Sequence, residues 1–384
     1  MEEWKEYKLG DIAQMKYGKM PKLSANGLFP VWSGYRYAGF SDEMNCPQGT
    51  LIVVARGVGG TGDVKIATTD CFLTNLSISV NLNKQICDPL FLYYKFRIKN
   101  LKYLDSGSAQ SQITIDDLKR LCIQLPPLKK QEELISILKS LDDKIEVNRR
   151  INENLEQQAQ ALFKSWFVDF EPFKDGEFVE SELGMIPKGW RVGKLGDFVK
   201  TTSGGTPSRK VDDYYINGNI NWVKSKELQN TFIAETEEKI TEEAIKNSSA
   251  KLLPTHSVLI AMYGATVGEF GITTRPMTCN QAVCALLPNK NVPYSILYTF
   301  ARNNKNELIN KAIGSAQQNI SQVIIKNMSF VFNDKAFFDF NYIIDPMLRQ
   351  IESNILESRR LASLRDTLLP KLMSGELKVN DIKE

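Results

Sequence analysis

A phrase that occurs twice, half a chain apart, most constrains the fold of this 384-residue sequence. The letters GSAQSQI at 107–113 return as GSAQQNI at 314–320. This separation is far longer than the roughly 20–50 residues of a solenoid or propeller repeat. The repetition therefore predicts two copies of one domain.

Other landmarks recur in the same order. WKEYKLGD at 4–11 is matched by WRVGKLGD at 190–197, and apolar runs that end in a glycine turn lie at 51–62 and 258–268. Each copy then continues into a long helical segment. The chain is therefore predicted to be a duplication whose copies have diverged.

Each copy is predicted to mix short strands with short helices. The segments 50–54 and 77–80 are β-branched and bounded by turn residues, which is typical of strands. Thr114, with an acid three residues later, predicts a helix N-cap. A strand at 121–125 should end at the two prolines that follow it.

Two long segments space their apolar residues at alternating steps of four and three, the pattern of a coiled coil. The first seam is Leu134, Leu138, Leu141, Ile145, Asn148, Asn152, Leu155, Ala159, Leu162 and Trp166. The second seam is Phe337, Phe340, Ile344, Met347, Ile351, Asn354, Ser358, Leu361, Arg365 and Leu368. In the second segment, Asp345-Pro346 predicts either a kink or the start of the helix.

The simplest partner for each long helix is the other one. The first must lead from domain one to domain two and the second must run back, so the predicted pairing is antiparallel. The polar residues in the middle of each seam would fix the register. The alternative is that each helix packs on its own domain.

Composition and motifs exclude several classes of function. The single histidine and six cysteines without a CxxC pair argue against zinc sites and disulfides and favour reduced cytoplasmic thiols. The sequence has no phosphate loop, no adenine-methyltransferase tetrapeptide and no nucleophile elbow. His256 is predicted to be structural, and the acidic run at 235–239 to be solvated.

Targeting signals and membrane spans are also missing from the sequence. No apolar run reaches the length that spans a membrane, and no signal-peptide pattern opens the chain. We expect a non-catalytic cytoplasmic protein that binds no cofactor or metal itself. The net charge of +3 favours no partner class.

Four further motifs carry a family resemblance. They are LPPLKKQEELI at 125–135, AQALFKSWFVDFEPF at 159–173, ELGMIPKGW at 182–190 and LRDTLLPKLMSGEL at 364–377. In this order, around a duplication, the chain resembles the specificity subunit of type I restriction–modification systems. One departure is Phe332-Asn333-Asp334, where the first copy has Leu125-Pro126-Pro127.

The resemblance implies an α+β architecture with two pseudo-symmetric mixed α/β target recognition domains and an antiparallel two-helix coiled-coil spacer. The implied boundaries are 1–128 for the first domain, 129–168 for the first spacer helix, 169–183 for a linker, 184–334 for the second domain, 335–373 for the second spacer helix and 374–384 for a tail. The implied partners are double-stranded DNA with a two-part site, two methyltransferase subunits and two restriction subunits, and no membrane. S-adenosylmethionine, ATP and magnesium would be used on those other subunits.

Candidate DNA contacts follow from base-readout chemistry. Arg or Lys suits guanine, Asn or Gln suits adenine, and Lys, Arg, hydroxyl groups and backbone amides hold phosphates. The first copy offers Tyr35, Arg36, Tyr37, Arg56, Lys65, Gln110 and Gln112. The second offers Arg209, Lys210, Lys224, Lys226, Tyr263, Gln317, Gln318 and Asn319.

Elements shared by both copies cannot explain how different sequences are read. The GSAQ phrase therefore favours a structural or phosphate role, and the glycine turns either face DNA or only turn the chain. Residues that differ, such as Arg56 and Tyr263, are better candidates for base discrimination. Two alternative functions remain open: the recognition part of a fused restriction–methylation enzyme, and a coiled-coil scaffold with no role on DNA.

Overall fold

The structure is a computed structural model that describes residues 4–57, 60–105, 111–312 and 319–377. The chain divides into two compact units. Unit 1 comprises Met1–Lys144 together with Leu361–Glu384, and unit 2 comprises Ile145–Arg360. The two long helices contribute residues to both units.

The strands of unit 1 are β1 (Lys5–Lys8), β2 (Ala13–Tyr17), β3 (Phe29–Ser33), β4 (Arg36–Ser41), β5 (Leu51–Val54), β6 (Val64–Ile66), β7 (Phe72–Leu73), β8 (Ser77–Leu82) and β9 (Cys122–Leu125). Its short helices are α1 (Leu9–Ile12), α2 (Pro89–Ile98) and α3 (Ile115–Lys119), with a 3-10 turn at Leu101–Leu104. The long helix α4 (Leu128–Phe167) begins here. The strands predicted near 50–54, 77–80 and 121–125 are confirmed.

The strands of unit 2 are β10 (Phe178–Ser181), β11 (Gly184–Pro187), β12 (Arg191–Lys194), β13 (Lys200–Ser203), β14 (Ile220–Val223), β15 (Thr231–Ile233), β16 (Lys239–Ile240), β17 (Val258–Ala261), β18 (Phe270–Thr273), β19 (Thr278–Cys279), β20 (Val283–Leu287) and β21 (Ser329–Phe332). Its short helices are α5 (Leu195–Phe198), α6 (Glu242–Lys246), α7 (Tyr294–Asn303), α8 (Lys305–Asn310) and α9 (Gln322–Lys326), and the long helix α10 (Asp334–Ser374) starts here. Short 3-10 segments lie at Glu171–Phe173, Asp212–Tyr214, Ser225–Glu227 and Gly264–Thr266.

The two units repeat one strand-pairing plan. Unit 1 has a sheet of order β2-β8-β5-β6, and unit 2 has β13-β20-β17-β18 with β15 added at the edge. A three-stranded sheet follows in each, β4-β3-β7 and β16-β14-β19, and a two-stranded pair, β1-β9 and β12-β21. The predicted duplication is therefore confirmed at the level of topology.

Local sequence explains where the short elements begin. The Thr114 hydroxyl accepts a hydrogen bond from the Asp117 amide, and the Asp117 carboxylate accepts one from the Thr114 amide, which is the predicted capping box of α3. In unit 2, Ser321 caps α9 in the same place by accepting from the Ile324 amide. The chain after the repeated phrase thus opens a capped helix in both units.

The helix α10 does not start at Asp345-Pro346, which was one of the two alternatives predicted for this dipeptide. The side chain of Asn333 accepts a hydrogen bond from the Ala336 amide at 2.9 Å, so the helix begins at Asp334. Pro346 therefore lies inside the helix and does not start it. Without an N–H, Pro346 cannot bond the carbonyl four residues earlier.

The long helices pair with each other in both units. In unit 2, Asn148 Nδ2 donates to Glu357 Oε2 at 2.7 Å, and Phe163, further along α4, contacts Phe340, earlier on α10. In unit 1, an arginine of α10, Arg365, is ion-paired with Asp142 of α4. The predicted antiparallel pairing is confirmed.

The predicted seam positions are buried or half-buried. Asn148 is fully buried, and Asn354 Nδ2 donates to Asn152 Oδ1 at 2.8 Å, so the polar residues at the centre of the seam bond across the helix pair. The core of unit 1 includes Leu138 and Leu372 from the two helices. Each unit thus completes its own core with a segment of both long helices, and the alternative that each helix packs only on its own domain is wrong.

Candidate nucleic-acid interface

In each unit, the residue two positions beyond an inner strand of the main sheet, β5 or β17, is joined to the downstream end of the repeated phrase. In unit 1, Arg56 forms an antiparallel β-bridge with Gln112. The neighbouring Ile113 amide donates to the Ala55 carbonyl at 2.9 Å. The glycine turn and the downstream end of the phrase are therefore one structural feature.

Unit 2 builds the same feature from different side chains. Tyr263 forms the bridge with Asn319, and the Ile320 amide donates to the Met262 carbonyl at 2.9 Å. We call Arg56–Gln112 and Tyr263–Asn319 the bridge pairs. The rest of the phrase, with the candidates Gln110, Gln317 and Gln318, lies outside the described residues, and their roles stay predictions.

Unit 1 brings three of its seven predicted residues to one cavity. Tyr35, Arg36 and Arg56 line a cavity of about 370 Å³ beside Gly60. A Cβ on Gly60 would lie 1.8 Å from the ring of Tyr35, so the ring rests directly on this backbone. The lining comes mainly from the β3–β4 turn and from the end of β5 and the residues after it, with Leu76 from the segment before β8.

Lys65 extends the same surface. It lies on β6, and its Nζ is 3.9 Å from the centroid of the Tyr35 ring, a cation–π contact. Burial lowers the pKa of Lys65 from its ordinary value. Tyr37 lies differently: it is half exposed and packs edge-on against Trp32 and Phe40.

The charge of Arg56 is not neutralised by any described residue. Its guanidinium lies 5.9 Å from the centroid of the Tyr17 ring, and its Nε is buried without a hydrogen-bond partner among the described residues. The backbone of Gln112 is fixed, because its amide donates to Asp105 Oδ1 at 2.7 Å. Its side-chain amide has no hydrogen bond to the described part of the chain.

In unit 2 most of the predicted cations are already paired. Arg209 is 2.6 Å from Glu238, and its guanidinium stacks 4.3 Å from the centroid of the Tyr215 ring. Lys224 is ion-paired with Glu238, and Lys226 lies 2.6 Å from Glu237. A DNA role for these three residues stays a prediction, since their charges are offset in the free protein.

The same contacts correct the prediction for the acidic run. Only Glu237 is exposed, whereas Glu235 and Glu238 are half-buried. The hydrogen bond from Lys224 and a further one from Arg209 hold the pKa of Glu238 below its usual range. The run is therefore a set of ion-pair partners for the basic residues and not simply a solvated face.

Lys210 differs from its neighbour. It is exposed, and it forms no ion pair within the described chain. No hydrogen bond, ion pair or ring contact among the described residues joins the basic group of Arg209, Lys224 and Lys226 to Tyr263 or Asn319. Within the described part of unit 2, the bridge pair and this basic group are therefore not joined by a direct contact.

The described residues form no metal site, and His256 has structural partners. Across the described ranges, no group of three or more His, Cys, Asp and Glu side chains is placed to hold a metal ion. His256 has a positive φ of 63°, its Nε2 lies 3.1 Å from Glu352, and its ring stacks on Tyr294. None of the described helices combines the length and apolarity needed to cross a membrane.

Comparison with known proteins assigns the family. The family model described as the type I restriction modification DNA specificity domain matches residues 1–157 and 187–332. The chain belongs to the type I restriction–modification DNA specificity family. Specificity subunits are non-catalytic, so this chain supplies recognition and not a reaction centre.

Relatives and a solved structure agree with this assignment. The chain is 30% identical over 347 residues to the type I restriction enzyme MjaIX specificity subunit of Methanocaldococcus jannaschii, covering 88% of this chain and 79% of that one. It is 24% identical to the HindI specificity subunit of Haemophilus influenzae, covering 98% and 100% of the two chains. The crystal structure of an S subunit from M. genitalium shares the fold, with a TM-score of 0.63, 17% identity and 96% of each chain covered.

Sequence reasoning missed three residues that shape the candidate interface of this specificity subunit. Tyr17 lies under Arg56, Asp105 fixes Gln112, and Glu238 neutralises two predicted DNA contacts. Asp105 stands just before the repeated phrase, which could have drawn attention to it. The other two are brought into place only by strand pairing between distant segments.

Proposed function

We propose that each unit of this specificity subunit reads one block of a two-part DNA site. In this proposal, the paired helices α4 and α10 set the length of the unread gap between the blocks. The bridge pairs are the observation that carries the proposal. They occupy the same place in a shared topology, yet they present unlike side chains, as expected of two readers with different targets.

Energetics favour two linked readers over one. A wrong base pair costs about 1–3 kcal/mol, so a domain that reads only a few base pairs discriminates poorly against a genome. Two domains on one chain multiply their discrimination, because the second binding event is intramolecular once the first has occurred. A site read in this way should be asymmetric, since Arg56 and Gln112 differ chemically from Tyr263 and Asn319.

The same proposal covers the other components. Two methyltransferase subunits and two restriction subunits would dock on the chain in the cytoplasm, and the two-fold repetition of units supports a paired arrangement. S-adenosylmethionine, ATP and magnesium would be bound by those subunits. The mass of the assembled complex, measured by native mass spectrometry, tests how many methyltransferase and restriction subunits are bound.

The direct test is to map N6-methyladenine in the host genome with and without an intact copy of this chain. We expect a motif of two short, different blocks separated by a gap of fixed length, and we expect it to disappear when the chain is removed. A continuous palindrome would contradict the proposal. Sequence-independent binding by the assembled complex would instead favour a scaffold role.

A further inference from the structure

The bridge pair of unit 1 carries a more specific inference, which rests on the function proposed above. We propose that Arg56 reads a guanine in the block recognised by unit 1, with Gln112 beside it on the adjacent base pair. The equivalent position in unit 2, occupied by Tyr263 and Asn319, does not read guanine in this way. The two DNA blocks should therefore differ at the base pair that faces the bridge pair, with a guanine read there in the block of unit 1 only.

The first argument is that Arg56 has no counter-ion among the described residues. A buried polar atom without a hydrogen bond is costly, and so is a half-buried charge without a counter-ion. Arg56 has both features, with an unpartnered Nε and no ion pair to the described residues. Arg209 in unit 2 shows the contrast, because Glu238 lies 2.6 Å from it.

The second argument is that backbone hydrogen bonds hold the bridge pair in place without using the hydrogen-bonding groups of its side chains. The bridge joins Arg56 to Gln112, and Asp105 fixes the amide of Gln112 at 2.7 Å. The Tyr17 ring supports the guanidinium from one side. A side chain ordered in this way loses less entropy when it binds than one that moves freely.

The third argument is the shape of the guanidinium group, a planar fork with two parallel N–H donors. A guanidinium can donate two parallel hydrogen bonds to O6 and N7 of guanine in the major groove, and the amide of a glutamine can bond N6 and N7 of adenine. Tyrosine has one hydroxyl and cannot form the guanidinium fork, whereas asparagine matches adenine. Because the cavity beside Arg56 is also lined by Arg36, the site is basic and suited to a guanine edge near the phosphate backbone.

The experiment uses the full chain assembled with its modification subunits and the DNA motif found by methylation mapping. Duplexes in which each block base pair is changed in turn are titrated against wild type and Arg56→Lys, which keeps the charge but loses the fork. We expect wild type to discriminate about 5- to 150-fold against loss of one guanine. Lysine can still donate to guanine but lacks the planar pair of donors, so Arg56→Lys should lose part of that factor at this position only, with the other block unchanged.

A matched control is Arg150→Lys. Arg150 is exposed on α4, is paired with Glu146 at 2.8 Å and lies outside the cavity. This control variant should discriminate at every position as strongly as wild type does. A second variant, Arg56→Gln, should move the preference at the same position from guanine towards adenine, and melting curves establish that each variant is folded.

Three results overturn the inference while leaving the two-part function intact. They are a unit 1 block without guanine, unchanged discrimination in both Arg56 variants, and a loss of affinity that is equal for all sequences, which marks a phosphate contact. If the proposed two-part function is itself wrong, methylation mapping of the wild-type complex shows no two-part motif.

Discussion

At the scale of single residues, the important distinction is between cations that are neutralised in the free protein and cations that are not. Arg209 and Lys224 share Glu238, whereas Lys210 and Arg56 have no described carboxylate partner. An ion-paired cation must give up its partner before it can hold a phosphate, which offsets much of the gain. Adjacent residues of the same charge can therefore contribute very differently to DNA binding.

This distinction predicts unequal effects at neighbouring positions. Lys210→Ala should lower the slope of log affinity against log salt by about one, because a phosphate contact releases one counter-ion. Arg209→Ala should change the slope less, since Glu238 already balances its charge. Titrating the assembled complex with its DNA site from about 50 to 200 mM salt measures both slopes. Equal slopes for the two variants would show that the ion pair does not govern the contact.

At the scale of secondary-structure elements, the capped helix after the repeated phrase positions the bridge pair. Thr114 and Asp117 close the capping box of α3, and the Ile115 amide donates to Tyr17 Oη at 3.2 Å. Tyr17 in turn supports Arg56. The start of this short helix is thus connected through one tyrosine to the candidate base-reading side chain.

The capping box has a pH dependence with a definite sign. Hydrogen bonds from Thr114, followed by one from Arg120, lower the pKa of Asp117. A carboxyl group whose pKa is lower when folded stabilises the protein above its unfolded pKa of about 3.9, and this stabilisation is lost as the pH falls through the folded pKa. Asp117→Asn should therefore lower the free energy of unfolding by about 1 kcal/mol at pH 6. The difference from wild type should shrink as the pH falls below about 4.

Urea unfolding of both proteins at a series of pH values checks this expectation. The matched control is Asp116→Asn, because the Asp116 carboxylate is 81% exposed and its ion pair within the described chain is with Lys119, at 3.8 Å. This control should differ little from wild type at any pH. If Asp117→Asn is as stable as the control at pH 6, the cap does not hold α3 in place.

At the scale of the whole molecule, the two long helices combine structural and functional roles. α4 has 40 residues and α10 has 41, and segments of both complete the core of each unit. Buried asparagines form hydrogen bonds across the pair in unit 2, and such polar contacts fix the register of coiled coils. A change in helix length should therefore be tolerated only in whole heptads removed from both helices together.

Removing one heptad from α4 and the facing heptad from α10 should shorten the gap in the methylated motif. Seven helical residues correspond to roughly 10 Å. Both recognition blocks should remain the same, because the bridge pairs are untouched. Methylation mapping of cells that carry the shortened chain gives the answer. An altered block with a gap of the original length would rule out the spacer role.

Much of this architecture could be predicted from the sequence, and the exceptions have physical reasons. The seam from Leu134 to Leu155 was predictable because a coiled coil imposes its period on every turn. The start of α10 was not, because Asn333 and Asp345 are both plausible caps and only the packing of Phe337 and Phe340 in the core decides between them. The pairing of Lys224 with Glu238 was also hidden, since it depends on β14 and β16 lying side by side.

The outer edge of the main sheet differs between the units, with a practical consequence for the study of Lys65. In unit 2 the strand β15 covers β18, whereas in unit 1 the edge strand β6 has three residues with Lys65 at its centre. A short edge that carries a lysine resists the strand-to-strand association that leads to aggregation. Replacing Lys65 with an apolar residue would remove this protection together with any DNA contact. A weakened complex of that variant should thus be interpreted only after light scattering has shown that the protein remains dispersed.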